Sequence, residues 1–277
     1  MDGMAATGDS SRSARPTAAF FDLDKTIIAR SSTMAFSKPF QAGGLISRRA
    51  VLRSSYAQFV YVLGGADHDQ MEKMRAFMST LVAGWDVATV REIVADTLHN
   101  IVDPLVYDEA VDLIEQHKAA GRDIVIVSTS GTEVVEPIGA MLGADIVVAS
   151  RLEVEDGKYT GHIEYYAYAE EKARAIVELA ELRGYDLAES YAYSDSSTDV
   201  PMLETVGHAF AVNPDKELRR AAASHDWPVL VFTKPVALRS RVPLPPAKQT
   251  IAVLAVGGVL AAGGVLWANV RRRRPGA

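Results

Sequence analysis

The sequence predicts an α/β fold: a doubly wound, mostly parallel sheet with a helical cap inserted after the first strand and a hydrophobic helix near the C-terminus. Three observations carry this. Short apolar runs, beginning with Ala-Ala-Phe-Phe at 18–21, end abruptly at carboxylates or hydroxyls, as buried parallel strands do when they deliver ligand-binding groups to their carboxyl ends. Helical segments alternate with these runs, which places helices on both faces of one sheet. The block 32–101 has no strand-like alternation and directly follows the first strand, so it reads as a cap over that strand's end.

Composition bounds the reading. With 277 residues, 48% of them hydrophobic and 23% charged, the chain can bury a sizeable core. A net charge of −6 argues against a nucleic-acid partner, whose binders carry a basic footprint. The absence of cysteine excludes disulfides, thiolate metal sites and a thiol nucleophile, and leaves the compartment open.

Taken in order, residues 1–16 lack the apolar block of a secretory signal and read as a disordered leader. The α/β core comprises 17–31 and 102–233. Within the cap, Leu52, Tyr56, Phe59, Val60 and Leu63 have helical spacing, and Gly43-Gly44, Gly64-Gly65 and Gly84 divide the block into about four helices. Residues 107–120 form a helix that stops at Gly121, and a buried strand follows at 123–127. The run Ser128-Thr129-Ser130-Gly131-Thr132 then opens a helix through Ile138. A short strand at 146–149 precedes a hairpin, 152–162, turning at Asp156-Gly157. An amphipathic helix at 170–183 carries Lys172 in its first turn, and strands follow at 190–193, 209–212 and 229–232.

The strand ends supply the candidate chemistry. Asp22 and Asp24, two apart, face the same way along an extended chain and can share a hard cation while one carboxylate attacks or moves protons. A calcium loop would need Gly and Glu where Ile27 and Thr33 stand, and is set aside. Two solvated aspartates at a strand end remain the plainer alternative. Ser128 and the amides that follow it suit an anion or an ordinary helix cap, and Lys172 suits a site or the solvated surface. Asp195 and Asp199, four apart in Ser194-Asp195-Ser196-Ser197-Thr198-Asp199, can also face one way.

Residues 234–249, rich in proline, read as a linker, and 250–270 as a transmembrane helix followed by a basic tail, 271–277. The stretch 251–268 has no charged residue and, at about 1.5 Å per residue, nearly matches a hydrocarbon core of roughly 30 Å. A buried core helix is the rival, which Gly257, Gly258, Gly263 and Gly264 weaken. Gly257 with Ala261 and Gly258 with Ala262 have small-xxx-small spacing that could pair helices. With no export signal, the core is expected in the cytoplasm on a single-pass C-terminal anchor. The basic residues on both flanks also allow a helix lying in the interface.

Taken together, Asp22-Leu-Asp-Lys-Thr26, Ser128 after its hydrophobic strand, Lys172, and Asp195 through Asp199 are four motifs in order. On them the chain resembles the haloacid dehalogenase-like hydrolases, Rossmann-like enzymes, and specifically the phosphatases similar to phosphoserine phosphatase. The resemblance covers roughly residues 17–232 and implies a magnesium-dependent phosphomonoester hydrolase. Its implied catalytic residues are Asp22 as nucleophile, Asp24 as general acid and base, Ser128 and Lys172. Thr26, Ser128, Thr129, Gly131 and Lys172 would bind substrate, and Asp22, Asp24 through its carbonyl, Asp195 and Asp199 would hold Mg2+. An acid at Asp24 favours phosphatase over dehalogenase chemistry.

Three departures stand out: Ser194 and Glu171 occupy positions where the family usually has Gly, and Ser31 stands where phosphoserine phosphatases resemble one another in carrying a Glu for the substrate amine. The expected partner is therefore a small or lipid-derived phosphomonoester at a membrane. Phosphoserine as substrate, a catalytically silent membrane-anchored regulator, and a soluble phosphatase whose last helix packs on itself or a second subunit are the alternatives.

Overall fold

The computed structural model describes residues 15–46, 76 and 79–235. Strand β1 (Ala18–Phe21) is wholly buried and lies at the centre of a seven-stranded sheet of order β4-β3-β2-β1-β5-β6-β7. Its neighbours are β2 (Asp123–Gly131), with Phe21 opposite Ile126, and β5 (Tyr191–Ser194), with Phe21 opposite Tyr193, both parallel. Beyond them run β3 (Ile146–Glu155), β4 (Lys158–Tyr165), β6 (His208–Val212) and β7 (Val229–Leu230), and only the β3–β4 pair is antiparallel.

Alternation along β1 splits the core into two layers. Ala18 and Phe20 pack with Ile176 and Ala180 of α6 (Glu170–Arg183), Met202 and Leu203 of α7 (Val200–Leu203), and Leu218 of α8 (Lys216–Ser224). Ala19 and Phe21 face the opposite layer, with Val111 and Ile114 of α4 (Asp108–Ala119) and Val135 and Ile138 of α5 (Thr132–Leu142). Helices cover both faces, as the alternation predicted. Each fully buried phenylalanine contributes on the order of 1.5–3 kcal/mol relative to exposure.

In the segment expected to form the cap, the described residues include two short helices, α1 (Ser32–Ala35) and α2 (Ser37–Ala42), and a longer one, α3 (Val87–Ile101). Asp86 caps α3 by accepting from Thr89 N at 2.7 Å and Thr89 Oγ1 at 2.9 Å. The chain before α3 is laced to the β3–β4 hairpin: Gly84 N donates to Tyr159 O, Tyr159 N to Trp85 O, and Val87 N to Gly157 O. The expected helix around Leu52–Leu63 lies outside the described residues.

Several boundaries differ from expectation. The strand expected at 123–127 continues to Gly131, and the helix begins at Thr132 rather than Ser128. Ser128 Oγ accepts Ser130 N locally and Thr129 Oγ1 donates to the distant Ala167 O, so one local and one long-range hydroxyl bond hold the segment extended against helix formation. The strand expected at 146–149 and the first hairpin arm are one continuous strand, parallel to β2 in its first half and antiparallel to β4 in its second. The hairpin turns where predicted, with positive φ at Asp156 (49°) and Gly157 (77°), a type I′ pairing. Finally, β7 stops at Leu230, because the Asn213 side chain takes both the N–H and the carbonyl of Phe232 at 3.0 Å.

Lys234 and Pro235, the first residues of the expected linker, are tied to the core: Asp108 N donates to Lys234 O and Tyr107 bridges Pro235. Among the described residues no helix is long and apolar enough to cross a membrane. The apolar stretch 251–268, with its basic tail, lies outside them.

Candidate active site

At the end of β1 the ladder continues one step, Asp22 N donating to Tyr193 O at 2.9 Å, and the chain then turns. Lys25 takes the left-handed conformation (φ 64°), while Ile27 N and Ile28 N both return to Leu23 O. That turn folds Thr26 back under Asp22, whose Oδ2 accepts Thr26 Oγ1 at 3.2 Å. Both are buried.

Asp22 Oδ1 accepts from Lys172 Nζ at 2.7 Å. The same ammonium donates to Asp199 Oδ2 at 2.8 Å, and Lys172 is only 2% exposed. The solvated-lysine alternative is therefore excluded. Asp199 Oδ2 also accepts Ser194 Oγ at 2.7 Å, so the serine that stands where the family usually has glycine holds the partner of the lysine. Asp195 is 8% exposed and meets Lys25 Nζ at 3.9 Å.

The hydrogen bonds shown for the Asp24 carboxylate come from neutral donors. Its Oδ1 accepts Ser32 N at 2.8 Å and its Oδ2 accepts Ser130 Oγ at 3.0 Å. Ser128 sits in β2 two residues past Ile126, the partner of Phe21, and is almost fully buried. Thr129 spends its hydroxyl on Ala167 O, and Thr132 spends its own on Ser150 O at 3.0 Å. Among the described residues no side chain caps α5, and space is open beside Gly131 where a Cβ would lie. The ordinary-cap alternative for the Ser/Thr run thus fails, and among the described residues no side chain accepts from the first amides of α5, as an anion site requires.

Charge is unbalanced here. Burial pushes the Asp22 carboxyl up, against the pull of Lys172, and the neighbouring Asp199 adds to the rise. Burial also raises Asp195, with Asp22 as the next cause. Asp24 is raised by burial, which its hydrogen bonds from Ser32 and Ser130 only partly offset. For Lys172 burial works downward, but Asp199 and Asp22 together hold its ammonium well above the usual range.

Three buried carboxylates face one buried ammonium, an acidic excess of hard oxygen donors that fits a divalent cation such as Mg2+. Among the described residues no three acidic or histidine side chains converge into a ready-made metal cage. The fit therefore rests on Asp22 and Asp195 with the main-chain carbonyl of Asp24. Asp199 has its Oδ2 committed to Lys172 and Ser194.

Asp22, Asp24, Thr26, Ser128, Thr129, Gly131, Asp195 and Asp199 lie at the carboxyl ends of the parallel strands β1, β2 and β5 or just after them, while Lys172 reaches them from the first turn of α6. Sequence reasoning missed Ser32 and Ser130, which hold Asp24, and gave Ser194 no role. It also missed Asp215, whose N–H donates to Asp195 O and whose Oδ2 accepts Ser197 N at 2.8 Å, fixing the fourth motif to α8. The available signal was Asp215 itself, a helix-capping residue accepting Leu218 N.

A family model described as haloacid dehalogenase-like hydrolase matches residues 19–204. The chain is 62% identical to a Streptomyces azureus protein named for inhibition of morphological differentiation, over 93% of this chain and 94% of that one. It is 61% identical to a protein of Mycobacterium tuberculosis named "probable phosphatase", over 92% and 90%. A phosphoserine phosphatase of the same organism is 31% identical, over 88% and 79%. Among solved structures, a protein of unknown function from Bordetella pertussis Tohama I is similar at 29% identity and a TM-score of 0.69, covering 78% of this chain and 99% of that one. With the four motifs gathered at one sheet edge and the family model spanning them, the chain belongs to the haloacid dehalogenase-like hydrolases.

Proposed function

We propose that this chain hydrolyses phosphomonoesters through a covalent intermediate on Asp22. One observation carries the reading: the two aspartates of the first motif have different partners, Asp22 an ammonium and Asp24 only neutral donors. Such a division suits a nucleophile and an acid. An Asp22 oxygen attacks phosphorus and the ester P–O bond breaks. Its electron pair stays on the leaving oxygen, which takes a proton from Asp24. Asp24 then removes a proton from water, whose oxygen attacks phosphorus and expels the Asp22 carboxylate, releasing inorganic phosphate. Lys172 holds Asp22 and offsets charge on the phosphoryl group, while Ser128 and the amides of Thr129 and Gly131 orient its oxygens. Bound Mg2+, held by Asp22, Asp195 and the Asp24 carbonyl with Asp199 at or near its coordination shell, would neutralise the dianion that otherwise repels the nucleophile.

The substrate class we favour is a small or lipid-derived phosphomonoester, with the chain tethered at a membrane by residues 250–270. Support for the tether comes from the uncharged stretch 251–268 alone. Carbonate-resistant membrane association tests it, and full release into the supernatant would remove it. Phosphoserine is the alternative substrate, favoured by the name of the 31% identical relative. The regulatory name of the 62% identical relative is compatible with control exerted through hydrolysis, because acid, lysine and carboxylates are all retained here. The decisive experiment is phosphate release by purified Asp22→Asn protein with magnesium present. Loss of turnover with an unchanged fold is expected, and turnover near that of the parent would sink the covalent reading.

A further inference from the structure

Asp24 is the meeting point of three chain segments, one beginning eight residues further on and one 106 residues away. The turn after β1 supplies the carboxylate, the first turn of α1 supplies Ser32 N to its Oδ1 at 2.8 Å, and the end of β2 supplies Ser130 Oγ to its Oδ2 at 3.0 Å. The last two are themselves joined. Ser32 Oγ donates to Ser130 Oγ at 2.9 Å, and Thr33 Oγ1 lies 3.2 Å from the same atom. Ser32 is fully buried and Ser130 nearly so, so water does not compete freely for these bonds. The result is a closed ring through Asp24, Ser130 and Ser32, one member of which belongs to the cap.

We propose that Ser130 is a positioning residue: its hydroxyl, itself steered by Ser32 at the root of the cap, fixes the Asp24 carboxyl in the orientation from which it serves the leaving-group oxygen. A carboxylate turns readily about its side-chain torsions, and proton transfer tolerates little error in distance or direction. Removing Ser130 Oγ frees Oδ2 while Ser32 N still holds Oδ1, so Asp24 stays in the site but loses its alignment. A hydroxyl is suited to this place because it can donate to a carboxylate and accept from a carboxylic acid, and can turn its hydrogen toward Ser32 or Thr33 in the second case. The structure thereby links the seating of the first cap helix to the aim of the acid. This inference rests on the proposed role of Asp24, and the experiment separates the two.

The test compares kcat/KM, which reports expulsion of the leaving group, for p-nitrophenyl phosphate and for glycerol 2-phosphate. Nitrophenolate departs without a proton and an alkoxide does not. For Ser130→Ala we expect a loss of about 10- to 100-fold with the alkyl ester, less than about threefold with the aryl ester, and unchanged inhibition by inorganic phosphate. Ser130→Thr restores the hydroxyl and should recover most of the alkyl activity. Ser32→Ala, which removes the steering hydroxyl, should show the same leaving-group signature in weaker form and keeps the proposal testable if Ser130→Ala folds poorly. Equal losses on both esters, or none, in a folded Ser130→Ala or Ser32→Ala protein would overturn it. Asp24→Asn is the reference: if that variant also fails to discriminate between the esters, the acid assignment is what fails, whereas discrimination by Asp24→Asn alone removes only the role of Ser130.

Discussion

Lys172 donates to Asp22 Oδ1 at 2.7 Å across 150 residues of sequence, while its second bond, to Asp199, joins the first and fourth motifs through one ammonium. Breaking a buried ion pair on one side leaves uncompensated charge, which costs about 3–5 kcal/mol. Lys172→Met keeps the stem's volume and removes the charge. It should abolish turnover and lower stability by about 3 kcal/mol in urea unfolding at neutral pH. Adding Asp199→Asn should return part of the stability and none of the activity. A single variant as stable as the parent would contradict the ion-pair account.

A second consequence concerns pH. His117, on α4 beneath the sheet, is buried among Phe21, Tyr191 and Tyr193. Arg122 can only donate, so its approach to Nδ1 at 3.4 Å makes that atom the acceptor and leaves the Nε2 proton for Tyr193 Oη at 2.8 Å. Burial, and then the Arg122 charge, lower the imidazole to about 4. The unfolded chain binds this proton near pH 6.5 and the folded one does not, so the stabilisation is complete above about 6.5 and is lost as pH falls toward 4. The loss over that window approaches about 3 kcal/mol. Unfolding free energies at pH 5 and 7.5 should therefore differ more for the parent than for His117→Gln, and equal differences would show that His117 carries no linkage.

Much of the fold was legible because its signals are local. The apolar run before Asp22, the Asp156-Gly157 turn and the helix carrying Lys172 each depend on residues adjacent in sequence, and the α6 boundaries matched. Motif order pointed to the carboxylates and the lysine that the fold brings together, Asp22 and Asp199 on Lys172. Ser130 and Ser32 were not legible, since a hydroxyl's partner 98 residues away leaves no mark on its own neighbourhood. The strand extension through Ser128–Gly131 escaped for a related reason: its hydroxyl bonds reach Ala167, which only the folded chain brings near. For Ser194 the sequence showed a departure but not its partner Asp199.

A third expectation concerns the residue ahead of α6. Ala169 adopts φ 49° and ψ −120°, a region that suits glycine and strains any residue with a Cβ. Its carbonyl accepts Lys172 N at 3.0 Å, so the strained turn is part of how the lysine is presented. Ala169→Gly should relieve roughly 1–3 kcal/mol of strain, reduced by about 0.5–1 kcal/mol of added unfolded-state entropy. The melting temperature should rise by about 2–4 °C with kcat/KM little changed. A fall would show that this backbone conformation is not strained.

The last expectation is the substrate. Ser31 is half-buried at the N-cap of α1, makes no side-chain capping bond, and immediately precedes Ser32, whose N–H holds Asp24. A group at that position therefore neighbours the residue that binds Asp24, the acid in the proposed mechanism. Phosphoserine would bring an ammonium there, and a neutral hydroxyl compensates a desolvated charge far less than a carboxylate does. Asp67 and Asp69, cap carboxylates that could substitute, lie outside the described residues. Phosphoserine should accordingly be a poor substrate beside glycerol phosphate or lysophosphatidate, and Ser31→Glu should shift the ratio of catalytic efficiencies toward phosphoserine. A preference of the parent protein for phosphoserine by about a hundredfold, equivalent to roughly 2.7 kcal/mol in the transition state, would assign it to the amino-acid phosphatases and show that another residue supplies the missing charge.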